Sequence, residues 1–298
     1  MSNSGIDLID TKNNCSFPAA PTGTVLSSSI DLGWQGIIVE LHSLPESEYP
    51  EHYVQGHRLA IMRRGKPITY EWKQNGKWQS RQTHTGAFFL QSHGELNAPR
   101  WFEPFEIIAI SLEPSFVERC FQDTINCDLL HFRECRAQFD AHIARFAAQF
   151  ETELLNNNYG GILYGESLAL AFSLYLIEKY SNRSIPRPKG KLSSSQLKET
   201  IEYIHAHLDA ELSLRELASQ LNLSPFYFAR LFKKSLNLSP HRYVLQNRLE
   251  RAKKLITSSN FSLSDIAMQT GFYDQTHFGK SFKKYVGVSP KAFSRLAG

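Results

Sequence analysis

Two stretches in the last third of the chain repeat each other. From Phe228 the sequence reads FARLFKKSLNLSPHRY to Tyr243, and from Phe278 it reads FGKSFKKYVGVSPKAF to Phe293, 50 residues later. Upstream, SLRELASQLN from Ser213 returns as SLSDIAMQTG from Ser262, at an offset of 49. Phe-x-x-x-Phe-Lys-Lys, then Asn or Gly, an aliphatic residue, Ser-Pro and an aromatic keep register throughout. A repeat of this length calls for one supersecondary unit used twice.

Each copy reads as two helices joined by a tight turn. Ser213 and Glu216 have the spacing of a capping box, and Leu214, Leu217, Ala218 and Leu221 form an apolar stripe. Asn222 suits a turn that needs left-handed backbone. Ser224-Pro225 then opens the next helix with an N-cap serine and a proline at N1, and Phe228, Leu231, Phe232 and Leu236 face inward. In the second copy Ser262 caps with Asp265, Leu263, Ile266 and Ala267 face inward, and Gly271 supplies the turn. A second helix from about Asp274 to Tyr285 buries Phe278, Phe282 and Val286. The small residues Ala218 and Ala267 let the paired helices cross closely, as a helix-turn-helix requires.

The remaining faces carry the chemistry. On the first recognition helix Ser224, Phe226, Ala229, Arg230, Lys233 and Lys234 are expected to face DNA. On the second the expected set is Asp274, Gln275, Thr276, His277, Lys280 and Lys283, with Lys284 beside it. A helix in the major groove needs short or hydrogen-bonding side chains near its N-terminus for base edges and cations at its flanks for phosphates. Arg pairs with guanine and Gln with adenine in bidentate fashion, and Phe226 is a candidate for a thymine methyl. Between the copies a long helix, Pro240 to Ile256, repeats Leu245, Leu249, Ala252 and Ile256 on one side. It reads as a rigid spacer setting the recognition helices about one DNA turn apart, roughly 34 Å.

Charge divides along the chain. Residues 191–298 hold 16 Lys and Arg against 8 Asp and Glu, or +8, while residues 1–190 hold 17 against 21, or −4. Such asymmetry points to a nucleic-acid-binding half and a half with another task. The segment SNRSIPRPKGKLSSS, residues 181–195, breaks every periodicity and reads as a linker. Before it, Gly36–Leu44, His57–Arg63, Ile68–Gln74, Lys77–Gln82, Gly86–Gln91 and Phe105–Leu112 read as strands, with Asn75-Gly76 a hairpin turn. Helical spacing begins after Glu113-Pro114. Helices are expected over 137–156, with Phe139, Ile143, Phe146, Phe150 and Leu154 inward, and over 162–180. The longest apolar run, Leu168 to Ile177, falls short of a membrane span. The N-terminus lacks a basic start followed by an apolar run, so a cytoplasmic chain without membrane association is expected.

The stretch from Ile266 to Arg295, IAMQTGFYDQTHFGKSFKKYVGVSPKAFSR, resembles the signature of the AraC/XylS family of bacterial transcription regulators. Ile266-Ala267, Gly271-Phe272, Phe278, Lys280, Phe282-Lys283, Gly287, Ser289-Pro290 and Arg295 carry the likeness. The first copy fits through Leu217-Ala218, Ser224, Phe228 and Arg230-Leu231-Phe232-Lys233. The resemblance implies a seven-helix DNA-binding domain that places Arg230 in one major groove and Gln275 with His277 in the next. It also implies activation beside RNA polymerase. Its two-domain members often carry an N-terminal cupin-like β-barrel that binds a small effector, followed by dimerising helices. Double-stranded DNA, RNA polymerase, an unknown small-molecule effector and a second copy of the chain are thus the expected partners, with no cofactor. One departure is Ala229, which leaves the first helix a polar reader short.

The expected fold class is α+β in two domains. Residues 1–183 form a cupin-like β-barrel or sandwich with C-terminal helices, 184–195 a linker, and 196–298 an all-α tandem helix-turn-helix domain with units near 213–236 and 262–286. His42, His57, Trp72 and Trp101 are the candidate effector-binding residues; Trp34 and Trp78 are further aromatics. The rival reading is a metal-dependent cupin enzyme, or a metal sensor, fused to a DNA-binding domain. Cupin metal sites use a His-x-His followed by Glu, and no His-x-His occurs in residues 1–190; His52 and His57, five apart, do not share a strand face. Nucleophile and phosphate-loop motifs are absent, so no catalytic or metal residue is assigned. Of the cysteines Cys15, Cys120, Cys127 and Cys135, none forms a Cys-x-x-Cys pair, and Cys120 and Cys127 are spaced to share a helix face.

Overall fold

The structure is a computed structural model, and it describes residues 5–74, 76–94, 96–121, 130–156, 160–181, 190–258 and 261–297. The chain divides into two compact units: Met1–Asn158 with Leu168–Pro186, and Tyr159–Ser167 with Arg187–Gly298. The linker's central residues and Cys127 lie outside the described residues.

The first unit is built from antiparallel strands. They are β1 (Asp7–Asp10), β2 (Ser16–Pro18), β3 (Val25–Ser28), β4 (Ile37–Leu44), β5 (Ser47–Glu48), β6 (His52–Val54) and β7 (His57–Arg64). Then follow β8 (Ile68–Gln74), β9 (Lys77–Thr83), β10 (Ala87–Gln91), β11 (Leu96–Asn97), β12 (Pro99–Trp101), β13 (Phe105–Leu112) and β14 (Cys135–Phe139). The main sheet has the order β14-β10-β7-β13-β4-β3, and smaller sheets run β11-β6-β1-β2 and β5-β12-β8-β9. The long strands fall where alternation places them. Gln74 pairs with Lys77, so the β8–β9 loop has two residues, and Gly76 at φ +73 supplies the positive φ of the expected turn. The inner faces share one core: Met62 and Ala60 from β7, Phe105, Ile107 and Ala109 from β13, Ile68, Tyr70 and Trp72 from β8, with Phe89 and Trp101.

Among the described residues, three helices complete the region before the linker: α1 (Pro114–Phe121), α2 (Ala141–Leu155) and α3 (Gly161–Tyr180). The expected start of α2 at 137 is corrected. Residues 135–139 pair with β10, and the Asp140 carboxylate caps the helix by accepting the N–H groups of His142 and Ile143. Phe139 accordingly leaves the inward stripe and is 60% exposed. By length and composition alone α3 would pass for a membrane-crossing helix. Ala169, Phe172, Leu176 and Ile177 are nevertheless fully enclosed by protein.

Within the second unit lie α4 (Ser194–Ala206), α5 (Leu214–Ser219), α6 (Pro225–Leu236), α7 (Pro240–Ser258), α8 (Leu263–Gln269), α9 (Gln275–Val286) and α10 (Pro290–Ala297). Leu249 and Ala252 of α7 pack with Ile266, Ala267, Phe272, Phe278 and Phe282 in one apolar cluster. The spacer helix is thereby fastened to the second repeat by side chains that the 3.6-residue periodicity singles out.

Candidate nucleic-acid interface

The two repeats fold by the same local rules. Ser213 accepts the Glu216 N–H at 3.0 Å and Ser262 accepts the Asp265 N–H at 3.1 Å. In each case the carboxylate reaches back to the serine N–H, which closes a capping box worth about 1 kcal/mol. The turns are matched as well. Leu223 N–H donates to the Ala218 carbonyl at 3.1 Å and Phe272 N–H to the Ala267 carbonyl at 2.9 Å. Asn222 at φ +51 and Gly271 at φ +77 supply the left-handed residue. Ala218 and Ala267 are buried between their helices, as close crossing demands.

The second recognition helix, α9, presents an open polar surface. Asp274 is its N-cap, accepting the His277 N–H at 2.6 Å. Gln275, Thr276, Lys280, Lys283 and Lys284 are exposed. His277 is corrected: it is 8% exposed, its ring lies edge-on to Phe272 at 5.1 Å, and burial drives its pKa down to about 4. Asp274 opposes that shift, while Arg248 and Lys280 reinforce it. A neutral, enclosed imidazole packs the start of the helix against Phe272.

The first recognition helix, α6, is less open. Lys233 and Lys234 are exposed, and Tyr227, Ala229 and Arg230 are half-buried. Ser224 is buried because its hydroxyl caps the helix by accepting the Tyr227 N–H at 3.3 Å. Phe226 is corrected from an outward thymine contact to a core residue, 1% exposed. The period that places it outside ignores the first turn, where the helix end is itself covered. Arg230 sits one turn on, its guanidinium 5.6 Å from the Phe226 ring, so the phenylalanine steadies the arginine from below.

Sequence reasoning passes over two aromatic residues here. Tyr273, 75% exposed, precedes the N-cap of α9, and Tyr227 is half-buried near the start of α6. Periodicity cannot flag Tyr273, which precedes its helix.

Residues 217–296 match the family model described as a helix-turn-helix domain. The C-terminal unit is an AraC-type DNA-binding domain. The chain is 36% identical over 99 residues to the regulatory protein PocR of Salmonella typhimurium, covering 33% of each protein. It is 33% identical over 135 residues to the HTH-type transcriptional regulator GbdR of Pseudomonas aeruginosa, covering 43% of this chain and 36% of GbdR. The chain thus spans about a third of the length of the curated relatives it matches. Among solved structures, the C-terminal domain of AraT, a response regulator from Geobacillus stearothermophilus, is 33% identical with a TM-score of 0.34, over 35% of this chain and 86% of that one. Ala229 and Arg230 are both half-buried on α6.

Outside the AraC-type domain, the four candidate effector residues do not form one set. Trp72 and Trp101 belong to the core of the β unit, and Tyr70 stacks parallel to Trp101 at 6.5 Å. His42 is fully buried and gives its Nε2 to the Glu40 carboxylate at 2.8 Å. His57 lies on the other face of β7, edge-on to Phe132 at 4.7 Å, where its Nδ1 accepts the His93 N–H. Among the described residues no group of three His, Cys, Asp or Glu side chains is placed to hold a metal ion. Cys120 and Cys135 are buried and Cys15 is exposed.

Proposed function

We propose that the protein is a sequence-specific DNA-binding transcription regulator, an activator, controlled by a small-molecule effector bound in the β-rich unit. The observation that carries this reading is the duplicated helix-turn-helix with matched caps, turns and crossings, whose α6 and α9 each keep hydrogen-bonding and cationic side chains on an accessible face. Arg230 and Gln275 are the assigned base readers. Lys233, Lys234, Lys280 and Lys283 are assigned to phosphates, with Asp274 and Thr276 at the groove-facing end of α9. Relatives are named as transcriptional regulators, which supports the regulatory role. A cytoplasmic homodimer that meets RNA polymerase at the promoter completes the reading, and two linked DNA-binding domains would gain avidity on paired half-sites. The division of labour proposed is effector binding and dimerisation in residues 1–183, a linker at 184–195 and DNA binding in 196–298. The β unit is read as cupin-like, on the support of its antiparallel strands around a shared core.

The test is selection of bound duplexes from a random library by the full chain, followed by footprinting. Enrichment of a motif with two protected zones about 10 base pairs apart is expected. Uniform recovery of all sequences would overturn sequence-specific binding.

A further inference from the structure

One acidic side chain from before the linker ends inside the DNA-binding unit. The unit that holds the two repeats also holds Tyr159–Ser167, the segment that supplies the first turns of α3. Glu166 in that segment is 6% exposed, and its carboxylate accepts the Leu214 N–H at 2.6 Å and the Arg215 N–H. Leu214 and Arg215 are the first two residues of α5. A helix leaves its first four N–H groups without partners of its own. In α5 all four are met. Glu166 takes the first two, the Ser213 hydroxyl takes that of Glu216, and the Ser213 carbonyl takes that of Leu217 at 3.2 Å. Burial pushes the Glu166 carboxyl up, and the two N–H groups and the Arg215 charge work against that shift.

The second repeat is built without this addition. Among the described residues, the cap of α8 is closed by Ser262 and Asp265, and Ser264, the counterpart of Arg215, is exposed. Glu166 is therefore no part of the repeated unit; it is brought to the first copy alone. The same segment also reaches the helix that follows α6. The Tyr164 ring lies 4.8 Å from the ring of His241, the second residue of α7. The helices before and after α6 are in turn joined to it. The Leu223 N–H bond to the Ala218 carbonyl closes the turn from α5, and Phe232 of α6 packs edge-on to Tyr243 of α7 at 5.6 Å. A helix of six residues, such as α5, has too few internal bonds to hold itself. Its direction, and through the turn that of α6, is set by what its ends are fastened to.

We propose that Glu166, with Tyr164 of the same segment, is a positioning residue of the first recognition helix: by completing the start of α5 it fixes the pose in which α6 offers Arg230 to a base. This rests on the DNA-reading function above and adds a segment from before the linker to the residues that serve it.

The test is duplex selection by the full chain, native and variant, each assayed below its own melting temperature and at two salt concentrations. Glu166→Ala should weaken binding to the native motif about tenfold or more, as the loss of hydrogen bonds to a charged group implies. Base preference should relax in the zone assigned to Arg230 and persist in the zone assigned to Gln275. The slope of log affinity against log salt should stay the same, since no phosphate contact is lost. Glu166→Gln, which keeps an acceptor oxygen, should recover most of the affinity and of the preference. Tyr164→Leu should relax the same zone to a lesser degree, and it decides the matter on the same readout if Glu166→Ala does not fold. A purely structural role would lower the melting temperature and weaken both zones alike. That outcome, or an unchanged preference in the variants, would overturn the inference and leave the DNA-reading function standing. If the native chain selects no motif, the DNA-reading function falls and the inference with it.

Discussion

Arg248 occupies the space that Gly271 leaves open. Its Nε donates to the Leu208 carbonyl at 2.9 Å, and its Nη2 to the Ala210 carbonyl at 2.6 Å, so the guanidinium ties α7 to the chain following α4. A Cβ on Gly271 would stand 2.2 Å from the Leu208 carbonyl oxygen and 2.8 Å from the guanidinium carbon. Burial lowers the Arg248 pKa to about 10, which leaves it charged at neutral pH while it holds these two carbonyls. Gly271→Ala combines a positive-φ penalty with a backbone collision, and should cost about 2–4 kcal/mol in chemical denaturation. Gly287→Ala is the control. It shares a positive φ, at +91, but nothing lies within 4 Å of its Cβ position, so it should cost about 1 kcal/mol. Equal losses at the two glycines would show that φ alone matters at the turn.

Asp140 holds the start of α2 and the end of α3 together. It caps α2, and its Oδ2 accepts from the Tyr175 hydroxyl at 2.7 Å, Lys179 Nζ at 2.5 Å and the Tyr180 hydroxyl at 2.5 Å. Burial pushes this carboxyl up, but the bonds from Lys179, Tyr180, Tyr175 and the His142 N–H outweigh it and hold the group far below the ordinary carboxylate range. A depressed carboxyl contributes stability that is present above its unfolded pKa, near 3.8, and is lost as pH falls further. Asp140→Ala should therefore cost at least about 1 kcal/mol at neutral pH, the worth of the cap alone. It should also flatten the decline of the β unit's stability below about pH 4. Urea titrations at pH 3 and pH 7 check both; an unchanged slope would remove Asp140 as the acid-sensitive group.

How much of this was legible in the sequence depends on how local the cause is. The repeat reveals α5, α6, α8 and α9, because caps, turn residues and apolar spacing all act within a dozen residues. Ser213, Asn222, Ser262 and Gly271 each have the role their residue type implies. The long strands are legible by alternation, and the short strands β1, β2, β5, β11 and β12 are not, since two to four residues carry no period. Phe226 and His277 read as outward in the sequence for one reason: burial at a helix's first turn depends on what covers its end, which is tertiary information.

Two histidines, the half-buried His241 and the buried His277, should make the DNA-binding domain acid-sensitive. His241, packed on Tyr164 at 4.8 Å, and His277 both have pKa values lowered to about 4, by burial first and by nearby Arg248 in addition. Above pH 6.5 they are neutral folded or unfolded and contribute no pH dependence. Between 6.5 and about 4 the unfolded chain binds more protons, so stability falls as pH falls through that window. The domain should lose on the order of 1–3 kcal/mol per histidine between pH 7 and pH 4. His277→Phe should remove part of that slope while keeping the packing on Phe272; an unaltered slope would mean the imidazole is free to protonate in the folded state.

Reading and holding DNA should separate by residue. Arg230→Ala should weaken binding to the selected site by roughly 1–3 kcal/mol and relax preference at one position. Gln275→Ala should do the same about one helical turn away. Lys233→Ala and Lys283→Ala should weaken all duplexes alike and lower the slope of log affinity against log salt by about 0.9 for each phosphate that is no longer neutralised. Phe226→Ala removes the ring beneath Arg230 as well as core volume, so it should lose about 3 kcal/mol or more of stability together with the Arg230-dependent preference. His277→Ala should lower stability and leave the base preference of the surviving folded protein unchanged, since its ring is enclosed against Phe272. Binding selections at two salt concentrations distinguish the classes. If Arg230→Ala and Gln275→Ala change only the salt slope, both side chains grip phosphate, and the bases are read from elsewhere, with exposed Tyr273 the first residue to examine.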